Sequence, residues 1–280
     1  MRRLLQITFI VAVCWFAEYV AKAAEIQVPQ NSVAGSEISL PTSGGGTLYL
    51  FGPGTAMKKD VKSGQAVRVT LKNAGKYTAV MNGSASSFFV APGPTNEVAF
   101  LARPSRVPAD RKEVIAGTVF LFDQQKNLVL VPTPVKFDLS VAGGAAQSRT
   151  VQAKDGVAYI KMDSGRQAGA AQFVASVGDK SIRRVVQQTA ADPCNLRMHA
   201  QPAKNGLTVE TDPIKDCAGN PVPDGTIVTF TAVDKDGRST IDARIKKGVA
   251  KAELPPMKNA TLSVAAGVVV GNEIRWGGGM

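Results

Sequence analysis

Few side chains in this 280-residue sequence carry catalytic chemistry, and they do not cluster. A hydrolytic triad needs a histidine within reach of a nucleophile and an orienting carboxylate. The sequence holds one histidine, His199. In "CNLRMHAQ" Cys194, Leu196, Met198 and Ala200 alternate with Asn195, Arg197, His199 and Gln201, which puts His199 on the polar side of a strand with no expected task. No nucleophile elbow, phosphate-binding loop or HExxH helix occurs. "DKDGRSTID" offers Asp234, Asp236 and Asp242 as hard oxygen ligands of the kind calcium takes. It lacks the alternating third acid and the closing glutamate of a calcium loop, and Asp236-Gly237 is a strong hairpin signal. Paired carboxylates for sugar cleavage would need cleft-forming insertions and aromatic walls, and the sequence has only two tryptophans. The expectation is therefore no enzyme, no cofactor and no metal.

"DCAGNPVPDGTIVTF", residues 216–230, concentrates polar residues around Cys217 and then alternates apolar with polar side chains. The choice is between a reactive cluster and a turn leading into a strand. The prolines, Asp224 and Gly225 favour the turn.

At the start, "MRRLLQITFIVAVCWFAEYVAKAAE" sets Arg2 and Arg3 before an apolar run and ends in a small-residue cleavage pattern, so residues 1–23 read as a signal peptide. Its apolar run is too short to span a membrane, so no integral membrane segment is expected after cleavage. Cleavage removes Cys14 and leaves Cys194 and Cys217 in a compartment that permits disulfides, where they are expected to pair. Zinc would want about four ligands, and only His199 could join them. A bridge closing about 24 residues would contribute on the order of 3 kcal/mol. Loss of Arg2, Arg3, Lys22 and Glu18 lowers the net charge from +11 to about +9. The remaining cations are scattered, without runs or interleaved aromatics, which argues against nucleic acid. A basic surface outside the cytoplasm suits solubility or anionic envelope polymers.

Period-two alternation pervades the chain, and no window of helical length shows a clean apolar stripe. "AVRVTL" places Val67, Val69 and Leu71 on one face, and "PVKFDLSV" does the same for Val135, Phe137, Leu139 and Val141. Residues 119–186 and 212–276 are copies of one another. Asp123, Asn127, Val135 and Phe137 fall on Asp216, Asn220, Val228 and Phe230 at an offset of 93. "GVAYIKM" then matches "GVAKAEL" after one deletion, and the apolar phase agrees in each matched strand. About seven short strands in some 90 residues, with a turn every 8 to 12, is the pattern of an immunoglobulin-like sandwich. The fold class expected is all-β, as tandem immunoglobulin-like β-sandwiches at 24–91, 97–190 and 191–277. The proline-stiffened "APGPTN", 91–96, is the expected linker. In the first unit "NAGKYTAV" is similar to the strand that carries a tyrosine corner, with Tyr77 as the tyrosine. Ala79 stands where an antibody-type core cysteine would be.

The stretches "DCAGNPVPDGTIVTFTAV", "ARIKKGVAKAEL" and "ATLSVAAGVVVGN" resemble the bacterial immunoglobulin-like domains of invasin and intimin adhesins. The resemblance is best over 194–276 and weaker over 97–187. It implies a rigid extracellular module that spaces or presents a binding surface, although neither an outer-membrane barrel nor a lectin-like tip is visible in the sequence. The expected protein is secreted, periplasmic or extracellular. Its role is structural or adhesive at the bacterial envelope, with an unknown envelope protein or polysaccharide as partner. The alternative is a binding accessory that recognises a glycan or a protein strand through an open sheet edge. "EIRWGGGM" shows no anchor or sorting motif.

Overall fold

The computed structural model describes residues 26–277; the expected signal peptide and Cys14 lie outside them. Strands joined by turns and irregular segments make up the described residues, with no helix among them and so none able to cross a membrane. The chain divides into two compact units, one running to Asn96 and including Phe122–Leu130, the other made of Glu97–Leu121 and the residues from Val131 onward.

The first unit contains β1 (Ser32–Val33), β2 (Glu37–Pro41), β3 (Gly46–Gly52), β4 (Thr55–Val61), β5 (Ala66–Thr70), β6 (Gly75–Met81) and β7 (Ser84–Ala91). They form a sheet of order β1-β7-β6-β3-β4 and a two-stranded sheet β2-β5. Alternation decides which residues go inside. Leu48 and Leu50, Tyr77, Ala79 and Met81, and Phe88 and Val90 meet Ile38, Leu40 and Val67 from the other sheet in one core. Tyr77 is wholly buried, so its hydroxyl needs a partner. It finds Asn73 O at 2.8 Å, four residues upstream, with Pro53 O at 3.2 Å. The ring lies so close to Gly52 that a Cβ there would sit 2.1 Å from it, which explains the glycine at the end of β3.

The second unit holds β8 (Glu97–Arg103), β9 (Arg106–Pro108), β10 (Ile115–Phe122), β11 (Thr133–Ser140), β12 (Gln147–Ala153), β13 (Val157–Met162), β14 (Gly169–Val177) and β15 (Lys180–Thr189). Sheets β13-β10-β8 and β12-β11-β14-β15-β9 enclose Phe100, Phe137 and Phe173, whose ring centroids lie 5.0 to 6.0 Å apart. Next come β16 (Pro193–Cys194), β17 (Met198–Ala203), β18 (Gly206–Thr211), β19 (Lys215–Asp216), β20 (Ile227–Asp234), β21 (Gly237–Arg244), β22 (Lys251–Leu254), β23 (Ala260–Ala266) and β24 (Val269–Trp276). Sheets β17-β18-β22 and β21-β20-β23-β24 bury Leu207, Val209, Leu254, Phe230, Leu262 and Val264 together. The sequence repeat is a structural one: β11 lies between β12 and β14 as β20 lies between β21 and β23, with Phe137 and Phe230 fully buried at matching positions.

Candidate functional site: two Asp–Asn clamps

The matched residues Asp123 and Asn127, and Asp216 and Asn220, build two nearly identical hydrogen-bonded clamps. Asp216 is buried between β19 and the turn that follows. Its Oδ1 accepts N–H bonds from Ala218 (3.0 Å) and Asn220 (2.8 Å), the geometry of an aspartate closing a turn over its own backbone. Its Oδ2 accepts from Ala191 N (3.0 Å) and Asn220 Nδ2 (2.8 Å). Thus oriented, the Asn220 amide reaches back in sequence. Nδ2 donates to Arg166 O at 2.7 Å and Oδ1 accepts from Ala168 N at 2.8 Å, so one side chain pairs with a donor and an acceptor two residues apart, as a neighbouring strand would.

The first clamp repeats each of these bonds within the first unit. Asp123 Oδ1 accepts from Gln125 N and Asn127 N, both at 2.8 Å. Oδ2 accepts from Gly93 N (2.9 Å) and Asn127 Nδ2 (3.0 Å). Asn127 Nδ2 donates to Lys72 O, and Oδ1 accepts from Ala74 N, both at 2.8 Å. The gripped loops also match, "KNAG" at 72–75 and "RQAG" at 166–169. Burial opposes the charged form of each carboxylate, but the donors together outweigh it: the asparagine amide, then the main-chain N–H groups. Both carboxyls are held below the ordinary aspartate range. Such a carboxylate has no proton to give at neutral pH and no free lone pair directed at a substrate, so its chemistry is to hold backbone.

The structure joins Cys194 to Cys217 with Cα atoms 4.9 Å apart, across the β16–β19 pairing in which Pro193 faces Asp216. The bridge therefore staples the segment that the second clamp also grips through Ala191. Gln124 occupies the equivalent place in the first clamp, which closes without a bridge. Asp224 caps the next turn, accepting from Lys247 N and Gly248 N, and Gly225 takes φ 89°. The dense stretch 216–230 is a turn leading into a strand, as its prolines indicate, with the addition that Asp216 and Asn220 bind residues 25 to 54 positions upstream. Sequence reasoning did not assign them that role. The available signal was that this polar pair recurs 93 residues earlier, whereas Cys217, Asp224 and Gly225 do not.

His199 is exposed on β17, opposite Glu210, with Nδ1 3.8 Å from Asp212 Oδ1. The three aspartates of "DKDGRSTID" are not brought together. Asp234 sits at the hairpin tip, where its carboxylate accepts from Asp236 N and Gly237 N, while Asp242 pairs across from Thr229 and accepts its hydroxyl at 2.6 Å. No group of three or more acids, histidines or cysteines able to hold a metal occurs among the described residues.

Sheets packed in pairs over alternating cores, with a buried tyrosine corner, define an immunoglobulin-like β-sandwich protein. Among solved structures, FdeC, an Escherichia coli adhesin, superposes with a TM-score of 0.60 at 17% identity, covering 88% of this chain and 94% of its own. InvD of Yersinia pseudotuberculosis has a TM-score of 0.49 at 14% identity, covering 89% of this chain and 94% of its own. Invasin, a bacterial integrin-binding protein, has a TM-score of 0.49 at 13% identity, covering 87% of this chain and 56% of its own. No protein-family model and no curated protein matches the sequence. The resemblance to bacterial immunoglobulin-like adhesin domains thus holds in the fold.

Proposed function

We propose that this chain is an exported, non-catalytic adhesive or spacing protein of the bacterial envelope. On this reading, removal of residues 1–23 leaves three immunoglobulin-like domains at 24–91, 97–190 and 191–277. The single observation that carries it is the duplicated clamp. The same five side-chain to backbone bonds and one aspartate–asparagine bond are built twice, near the starts of the two sequence repeats, and each clamp grips a loop upstream of its repeat. A protein that spends its buried carboxylates on tying distant backbone segments together is organised to hold position, not to turn over substrate. The likeness of fold to an adhesin supports the same reading. Cys194 and Cys217, disulfide-bonded in the exported protein, reinforce the second clamp, and export delivers them to an oxidising compartment.

Cell fractionation with protease treatment of intact cells tests this. The expected result is a chain shortened at its N-terminus and found in the periplasm, on the surface or in the medium. Full-length protein confined to the cytoplasm overturns the reading.

A further inference from the structure

The outer face of β4, β3, β6 and β7 has a composition that a merely solvated sheet does not need. While β3 buries Leu48 and Leu50 it turns Thr47, Tyr49 and Phe51 outward, and Tyr49 and Phe51 are 38% and 48% exposed. Two strands away Phe89 is 49% exposed. Cross-strand register places Lys58 and Val80 on either side of Tyr49, Ala56 and Thr78 on either side of Phe51, and Lys76 beside Phe89. Large apolar side chains scattered singly over a surface are ordinary, but three aromatics on one sheet face form a patch. The planes of Tyr49 and Phe51 are parallel within 1°, with centroids 6.3 Å apart along the strand, and Lys58 Nζ lies 5.9 Å from the Tyr49 centroid.

We infer that this face binds an acidic polysaccharide, a chain of pyranose rings bearing carboxylates. This rests on the adhesive reading above and names its partner. Charge decides the sign. The described residues of the unit include seven lysines and arginines against Glu37, Asp60 and Asp123. Glu37 pairs with Arg68 on the other sheet, Asp123 is buried in the clamp, and Asp60 accepts the Thr47 hydroxyl at 2.7 Å. Lys58 and Lys76 are left facing out with no carboxylate paired to either among the described residues. A second copy docked by the same face would set these lysines against themselves.

Size decides the class of partner. Four strands about 4.8 Å apart and seven residues long at about 3.4 Å per residue give a flat area of roughly 450 Å². That is little more than half of the roughly 800 Å² that a protein partner ordinarily covers. A narrow polymer needs less. Its ring C–H groups are attracted to the negative faces of Tyr49 and Phe51, its carboxylates to Lys58 and Lys76, and its hydroxyls to Thr78 and Ser87, whose own oxygens lie 2.9 Å apart.

Affinity electrophoresis of the full mature chain through gels containing polygalacturonate tests this, with dextran and polyglutamate gels as comparisons. Retardation is expected in polygalacturonate alone. Tyr49→Ser with Phe51→Ser should reduce the affinity at least tenfold, and Lys58→Gln with Lys76→Gln severalfold, with loss of its salt dependence. Circular dichroism should show both variants folded, because all four side chains point outward. Should the aromatic variant unfold, amide NMR shifts of the unaltered protein with a galacturonate oligomer must concentrate on β3, β4, β6 and β7. No retardation in polygalacturonate, equal retardation in dextran or polyglutamate, or shifts centred elsewhere each overturns the inference. Those failures leave the envelope reading standing, since that reading falls by location alone.

Discussion

Removing the Asp216 carboxylate should cost far more than a surface substitution. In Asp216→Ala, the N–H groups of Ala191, Ala218 and Asn220 lose a charged acceptor, and the Asn220 amide loses the oxygen that orients it. A buried donor left unpaired costs about 1 to 3 kcal/mol, and part of that returns as water reaches the turn, so the net loss should be about 3 to 5 kcal/mol. For a domain of 60 to 100 residues each kcal/mol lowers Tm by about 4 to 8 °C, which places the shift at about 12 °C or more. Asp216→Asn is the sharper test because it keeps the shape. Two N–H donors face Oδ1 and two face Oδ2, so whichever way the new amide turns, its NH₂ group points at donors. It should lose most of what alanine loses. Asn220→Ala leaves the aspartate turn intact but cuts the bonds to Arg166 O and Ala168 N, for about 2 kcal/mol. It should also make the loop at Arg166–Ala168 easier to cleave in limited proteolysis. The assay is scanning calorimetry of the mature protein with each variant. If Asp216→Asn melts within 2 °C of the unaltered protein, the clamp does not carry the load assigned to it.

Both clamp aspartates titrate below their ordinary range, so their contribution is complete above the unfolded aspartate value near 3.9 and drains away as pH falls through the folded values. Urea midpoints in that window should fall with decreasing pH, each carboxylate adding up to about 1.4 kcal/mol per pH unit, and Asp216→Asn should flatten the slope; an equally steep slope in the variant would assign the acid sensitivity elsewhere. Mass spectrometry of the mature chain without reductant should show Cys194 linked to Cys217, and reduction should destabilise the third sandwich by on the order of 3 kcal/mol; two free thiols would refute it. Gly52→Ala forces a Cβ into the Tyr77 ring and should cost about 1 to 3 kcal/mol by thermal melting, whereas Gly83→Ala, at a φ of 82° but with nothing within 4 Å, isolates the cost of backbone strain alone.

The fold was largely legible because a sandwich strand records its burial residue by residue. Val135, Phe137, Leu139 and Val141 alternate with polar neighbours in the sequence, and all four are buried in the structure. Tyr77 was legible because a tyrosine in a glycine-flanked turn sequence marks a corner, and its hydroxyl is tied to Asn73 O. The clamps were not legible as clamps. Their hydrogen bonds run from side chains to main-chain groups of residues such as Lys72, Ala74, Arg166 and Ala168, and a main-chain group leaves no mark in the sequence. The aromatic face was hidden for another reason. "TLYLF" is apolar at four positions, and alternation alone does not tell which phase turns outward when both are apolar.

These two kinds of hidden residue divide the work of the molecule differently. A property that every copy needs must recur with the repeat, and Asp and Asn recur at positions 123 and 127 and at 216 and 220. A property that one place needs should be confined to it. The cysteine bridge and the paired Tyr49 and Phe51 rings belong to one sandwich each. In a protein of repeated sandwiches, then, buried polar residues shared by the copies belong to the architecture, and exposed apolar residues confined to one sandwich are where a partner is to be sought. The polar cluster around Cys217 misleads a search for chemistry because it superimposes the two, a shared clamp and a private staple, on one turn. Taking it apart requires the other copy. Asp123 makes the same four bonds with Gln124 beside it, which shows that the clamp needs no sulfur and that the staple is an addition. Reduced protein should accordingly keep the Asp216 clamp while losing stability, so Asp216→Asn and reduction should lower Tm separately. Full loss from either one alone, with no further effect of the second, would show the two to be a single device.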